Sequence, residues 1–311
     1  MLAFDEHILQ SLSTKLDQLE NARLHALAEK KRAANLCWII TASIFGLSLI
    51  VCIALNTPIP LIIAVILSVI VSLITYNAVC GKAIKFFEHN CKTQLVRGIA
   101  KAIQPEMEFF PNHGISKQLF KSCGHYTTGI DRYKTEDLFE GSIGATKLLF
   151  GELHAEYKTT STDSKGRKKT SWHTIFKGVM LVADFHKHFN TWVTVRPDNE
   201  TDGFFGWIGQ KIQGFSSSLV KLESPTFEKH FRVNAGDATG AMYILTPDMQ
   251  ERLLKLRQSL GTRIIISFQK SNVYITAPKS KDWFETDINV SVKSRAQINR
   301  IGSQMQHYFQ M

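Results

Sequence analysis

The chain has 311 residues, 44% of them hydrophobic, and a formal net charge of +10. Yet no Asp, Glu, Lys or Arg occurs between Leu36 and Cys80, so every charge lies outside that stretch. A charge-free run of this length excludes a wholly soluble globular protein, and apolar residues spread through the remainder exclude disorder as the main state.

Residues 1–35 contain no Gly or Pro, and Leu9, Leu12, Leu16 and Leu19 recur at helical spacing. This predicts a cytoplasmic amphipathic helix with a short heptad-like stripe, running straight into the apolar segment. Leu36–Leu55 and Leu61–Cys80 are then two uncharged runs of about 30 Å each as helices, the thickness of a hydrocarbon core. Lipid offers backbone groups no partner, so these spans must be helical. Pro58 and Pro60 stop the first helix and restart the next, giving a transmembrane hairpin over 36–80.

Arg23, Lys30, Lys31 and Arg32 precede the hairpin, and Lys82, Lys85, Lys92 and Arg97 follow it. The connecting turn is uncharged. The positive-inside rule therefore predicts an integral membrane protein with both termini cytoplasmic. Among the five cysteines no CxxC pair occurs, which argues against a zinc site or a disulfide framework.

Residues 81–105 repeat the amphipathic pattern through Ile84, Phe87, Cys91, Leu95, Ile99 and Ala102. The hairpin would bring this helix beside the N-terminal one, as an antiparallel coiled pair or within a homo-oligomeric bundle. From about residue 106 the texture becomes β. Strands are predicted at His173–Phe185, Thr191–Arg196, Leu219–Leu222, Phe231–Val233, Met242–Leu245, Arg263–Phe268 and Val273–Ala277, the last two forming a hairpin. Thr246, Pro247 and Gly261 bracket one helix, and another is predicted over Val290–Phe309. Strands without alternating helices predict an α+β cytoplasmic domain over 106–311, mainly antiparallel, with a few helices.

Catalytic signatures are missing: there is no P-loop, HExxH, GxSxG or kinase set. No catalytic residue and no cofactor is predicted. Asp184, His186 and His188 are the best metal-like group, since alternate strand positions share a face, but a solvated strand edge is the simpler reading.

Charge is more informative. Residues 1–35 balance five basic against five acidic residues, so the whole +10 belongs to the part after Cys80. Lys165, Arg167, Lys168 and Lys169, with Lys158 nearby, concentrate it around a polar loop opposed only by Asp163. A basic loop tethered beside an anionic leaflet suits lipid binding, and a solvated loop serving solubility is the plain alternative. Nucleic-acid binding is disfavoured, because aromatics do not interleave the run. In the glycine-rich segment 203–214, Phe204, Phe205, Trp207 and Ile208 are candidates to dip into headgroups, with Lys211 at the surface.

Several phrases resemble a known family. They are Ile115–Phe120, Glu136–Gly141, Phe176-Lys177-Gly178, Ala183–Lys187, Leu222–Val233, Ala241–Pro247 and Phe284-Glu285. The chain resembles the uncharacterised bacterial two-span membrane-protein family known as domain of unknown function 3137. The resemblance implies the architecture above and no activity, cofactor or catalytic residue.

The leading expectation is a membrane-anchored cytoplasmic binding or scaffold module. Its partner would be a protein, a copy of itself or anionic lipid. The alternative is a membrane-bound enzyme with an unrecognised site. A channel or transporter subunit is the third reading, and the lack of charge in the spans argues against it.

Overall fold

The computed structural model describes residues 6–188, 190–198, 218–279 and 284–309. By internal contacts the chain divides into two bodies. The first comprises Met1–Ile99 and Phe284–Ile301, and the second comprises Ala100–Trp283 and Gly302–Met311.

The first body is built on two long helices. Helix α1 runs unbroken over Glu6–Leu55, as the continuous pattern predicts. Asn56 turns the chain in a left-handed conformation, and α2 restarts at Ile59–Asn90 behind Pro58. Both helices are long and apolar enough to cross a membrane, and only 6% and 11% of their most apolar windows are buried. Core helices of a soluble protein would be mostly covered, so this surface is matched to lipid rather than to a core. Ser72 ties the two spans: its carbonyl accepts from the Cys37 thiol at 3.4 Å, and its hydroxyl lies 3.3 Å from that of Thr41.

Outside the apolar stretch the same helices bury a stripe of their own. Leu16, Leu19, Arg23, Ala26 and Ala33 on α1 are buried, as is Phe87 on α2. Beyond α2 the helix widens into a π turn over Cys91–Val96, burying Cys91, Leu95 and Val96, and resumes as α3 over Arg97–Ile103. A π turn rotates the faces that follow it by inserting a residue, which keeps this apolar stripe aimed inward.

A polar clamp closes this body. Arg23 is buried and donates to the Glu20 carboxylate at 2.6 Å and to the Ile288 carbonyl at 3.1 Å. The same carboxylate accepts from the Ser291 hydroxyl and the Val292 amide, each at 3.0 Å. Lys293 pairs with Asp17. The Val292 amide is thus spent on Glu20, and turns occupy Asp287–Val290 and Ser291–Ser294. The last helix consequently starts at Arg295 rather than at the expected Val290.

The second body is an α+β domain around one antiparallel sheet, of nine strands among the described residues. In chain order the strands are β1 (Glu108–Phe110), β2 (Arg132–Ile143), β3 (Thr146–Thr162), β4 (Lys168–Asp184), β5 (Trp192–Pro197), β6 (Ser218–Val220), β7 (Phe231–Ala235), β8 (Ile265–Gln269) and β9 (Asn272–Pro278). Their spatial order is β1-β2-β3-β4-β9-β8-β5-β7-β6. The short helices are α4 (Lys117–Ser122), α5 (Pro225–Glu228), α6 (Ala238–Ile244) and α7 (Pro247–Leu260), and α8 covers Arg295–Phe309. Thr246 caps α7 and Gly261 ends it in a left-handed conformation, as the sequence implies. The β8–β9 hairpin turns between Gln269 and Asn272, also as expected.

One predicted strand is a helix. Met242–Leu245 ends α6, because the Asp237 side chain accepts from the Gly240 amide and nucleates a turn ahead of the apolar run. A short apolar run does not by itself distinguish the two states.

The middle of the sheet is covered on both faces. Val179–Ala183 of β4 are all buried, so the strand reads as a continuous apolar run rather than an alternating one. One face packs Phe176, Met180 and Val182 against Ile115, Phe120 and Tyr126. On the other, Phe139 and Phe150 stack with centroids 4.4 Å apart, and Phe109 and Phe309 close around them. At β4 the Gly178 position has no room for a side chain. A Cβ would lie 2.8 Å from Pro278 Cα and 2.9 Å from the Lys279 nitrogen.

Candidate functional site

The charge concentrated near residue 165 lies at the end of a two-stranded ribbon. Pairing of β2 with β3 stops at Arg132 and Glu156, and pairing of β9 with β4 stops at Pro278 and Gly178. The β3–β4 pair continues alone through Thr162 and Lys168. Residues 158–170 are all exposed. The sequence suggested a polar loop here; the backbone instead forms a ladder of about 20 Å.

The residue types explain why a bare ribbon holds. Thr160 faces Thr170, Thr159 faces Ser171 and Thr162 faces Lys168, and β-branched cross-strand pairs favour the extended backbone. Asp163 organises the turn. Its carboxylate accepts from the Lys165 amide at 2.9 Å, the Arg167 amide at 2.8 Å and the Arg167 guanidinium at 2.9 Å. These donors, the Arg167 amide first, hold its carboxyl below the usual range. Gly166 supplies the left-handed conformation that the turn needs.

Basic groups occupy every side of this ribbon. Lys158 and Lys168 share one face with Trp172, Lys169 lies on the other, and Lys165 and Arg167 are in the turn. At the base, the Arg132 guanidinium stacks 3.7 Å from the Trp172 ring centroid and pairs with Glu156 at 3.1 Å. Phe204, Phe205, Trp207, Ile208 and Lys211 lie outside the described residues.

The residues considered for a metal do not converge. Strand β4 ends at Asp184, and His186 has φ of 53°, which breaks the alternation that would align three ligands. Asp184 accepts from the His186 amide at 2.9 Å, and the His188 ring sits 2.7 Å from the Ser271 hydroxyl. Among the described residues no group of three His, Cys, Asp or Glu side chains is placed to hold a metal ion.

A second charged feature was not read from the sequence. On the outer side of β2, β3 and β4, Lys134, His154 and Lys177 are neighbours across the ladder. With Glu136, Glu152 and Lys279 they line a groove of about 680 Å³. Burial lowers the His154 pKa; Glu156 opposes this, while Lys177, Lys134 and Arg132 add to it. The ring is therefore neutral at neutral pH and can accept a hydrogen bond or proton. The signal was available as alternating charge along Arg132, Lys134 and Glu136, and along Glu152, His154 and Glu156.

Thiol and imidazole chemistry is suppressed in the interior. Burial pushes the Cys123 thiol up to about 12 and the Cys91 thiol up to about 11, which leaves both protonated and unreactive. His125 is fully enclosed, and burial drives its pKa down to about 3.

Part of the groove's lining, Lys177, Gly178, Val179 and Lys279, falls in a stretch that matches a family model. Residues 174–311 match the model of a family described as protein of unknown function, DUF3137. Over that stretch the chain is similar to DUF3137 proteins. The DUF3137 match begins within β4, so it takes in Lys177 and Gly178 but not the turn of the ribbon. No curated protein matches the chain. Among solved structures the chain is similar to the mycobacterial trehalose monomycolate transport factor A, TtfA. The two share 8% identity, with 68% of this chain and 93% of that one covered, at a TM-score of 0.36.

Proposed function

We propose that this protein is a membrane-anchored binding module of the bacterial inner membrane, with both termini in the cytoplasm. Helices α1 and α2 hold it in the bilayer, and the α+β domain presents a binding element on the cytoplasmic side. The observation that carries this reading is the ribbon over residues 157–173, a charged projection that, among the described residues, no other strand covers. Five basic side chains on such a projection suit an anionic partner, whether protein or lipid. The basic flanks of the apolar stretch support the orientation.

Alkaline extraction and protease access test it. The full chain should stay with the membrane pellet at alkaline pH. Trypsin should cut after the exposed Lys255 of α7 in inside-out vesicles and leave this site intact in spheroplasts. Release into the soluble fraction would remove the anchor, and cleavage in spheroplasts would reverse the orientation.

A further inference from the structure

We propose that the ribbon over residues 157–173 is a docking arm for an anionic phospholipid surface. The proposal rests on the reading above and names the partner of its binding element.

Three observations favour lipid over a folded protein. First, the cations are not confined to one face: Lys158 and Lys168 lie on one, Lys169 on the other, Lys165 is exposed in the turn, and Arg167 pairs there with Asp163. A folded partner would meet one face, with a packed anchor at its centre. A sheet of mobile headgroups can gather around all of them. Second, residues 158–171 include no large apolar side chain, so the arm has nothing to insert into a pocket or an acyl layer. The one aromatic at its root, Trp172, is already stacked under Arg132. Third, Asp163 turns its carboxylate inward to the amides of Lys165 and Arg167. This carboxylate, the only acidic group in the arm, also pairs with the Arg167 guanidinium, so the arm keeps a net charge of +4 from five basic residues and one acid.

Binding of this kind is electrostatic and falls with salt. Loss of each cation near a charged leaflet weakens docking by about fivefold, and raising the salt shortens the Debye length to about 3 Å at 1 M.

The test uses the full chain in nanodiscs of neutral phosphatidylcholine, or of phosphatidylcholine with phosphatidylglycerol, digested by trypsin. Cleavage after Lys165 and Arg167 is read by mass spectrometry, with exposed Lys255 of α7 as the reference site. In anionic discs at low salt, ribbon cleavage relative to Lys255 should slow by about tenfold or more. Protection should vanish in high salt and in the K168Q/K169Q variant, which keeps both reporter sites. Inorganic phosphate added to neutral discs should not protect. Equal cleavage in the two discs would overturn the proposal. So would protection in neutral discs by added duplex RNA alone, which would assign the arm to nucleic acid. A chain that fails to enter discs at all would instead defeat the membrane-anchor reading on which the proposal rests.

Discussion

Glu20 and Val292 stand 272 positions apart in the chain and are joined by a 3.0 Å hydrogen bond from the Val292 amide to the Glu20 carboxylate. The same carboxylate carries the Arg23 guanidinium and the Ser291 hydroxyl, so one side chain fixes the returning segment to α1. Arg23, first among these, holds the Glu20 carboxyl below its ordinary value of 4.5. Replacing Glu20 with Ala leaves a buried guanidinium without its anion and should cost about 2–4 kcal/mol. Hydrogen exchange at Val292 should rise accordingly. Because the folded pKa is depressed, this stabilisation is complete above pH 4.5 and is lost as pH falls through the lower folded value. Unchanged exchange at Val292 in Glu20→Ala would show that the clamp does not hold the segment.

His125 should make the α+β domain acid-sensitive. Its folded pKa is about 3 against 6.5 for the free side chain. Below pH 6.5 the unfolded chain takes up a proton that the folded chain refuses, so stability falls as pH falls toward 3. The ceiling is about 4–5 kcal/mol at 1.36 kcal/mol per unit. Neither ring nitrogen has a partner among the described residues. His125→Leu should therefore be neutral or stabilising at pH 7 and flatten the slope between pH 6.5 and 4 in denaturant titrations. A slope identical to that of the parent chain would reject this account.

Gly178 should tolerate no side chain. A Cβ would strike the backbone of Pro278 and Lys279, where β4 and β9 meet, and backbone cannot swing aside as a side-chain tip can. Gly178→Ala should destabilise the domain by about 2–4 kcal/mol. Gly144→Ala is the contrast, since its Cβ would meet nothing and only its left-handed φ is strained. Its cost should be nearer 1 kcal/mol. Equal losses in thermal denaturation would mean that steric contact is not what requires Gly178.

Asp163 should govern the order of the ribbon's turn and little else. In Asp163→Ala the amides of Lys165 and Arg167 lose their acceptor, and their exchange should quicken by about tenfold or more. The buried strands Val179–Ala183 should keep their protection. The depressed carboxyl means that the turn persists below the ordinary carboxylate range and opens only as pH falls through the lowered value. Loss of protection throughout β4 would show that the ribbon is part of the domain core instead.

Long-period features were legible in the sequence because they are written in consecutive residues. The unbroken α1, the turn at Pro58, the capped α7 and the β8–β9 hairpin all follow from local pattern and capping chemistry. Met242–Leu245 went the other way because its state depends on a cap at Asp237, outside the apolar run. The basic cluster was also legible, but its shape was not. Polar residues at 158–170 look like any loop until the ladder extending from a buried strand dictates their backbone. The groove of Lys134, His154 and Lys177 required three strands to be set in register, which no single segment encodes.

The uneven charge was decided by sequence alone: a charge-free stretch from Leu36 to Cys80, and a net +10 carried entirely beyond it. That distribution sets which solvent each part prefers, since burial of an unpaired charge in lipid costs more than any local preference can return. Tertiary structure decided where the positive charge is displayed and what Glu20 holds. Both depend on contacts between residues far apart in the chain, whose geometry exists only once the strands and helices have packed.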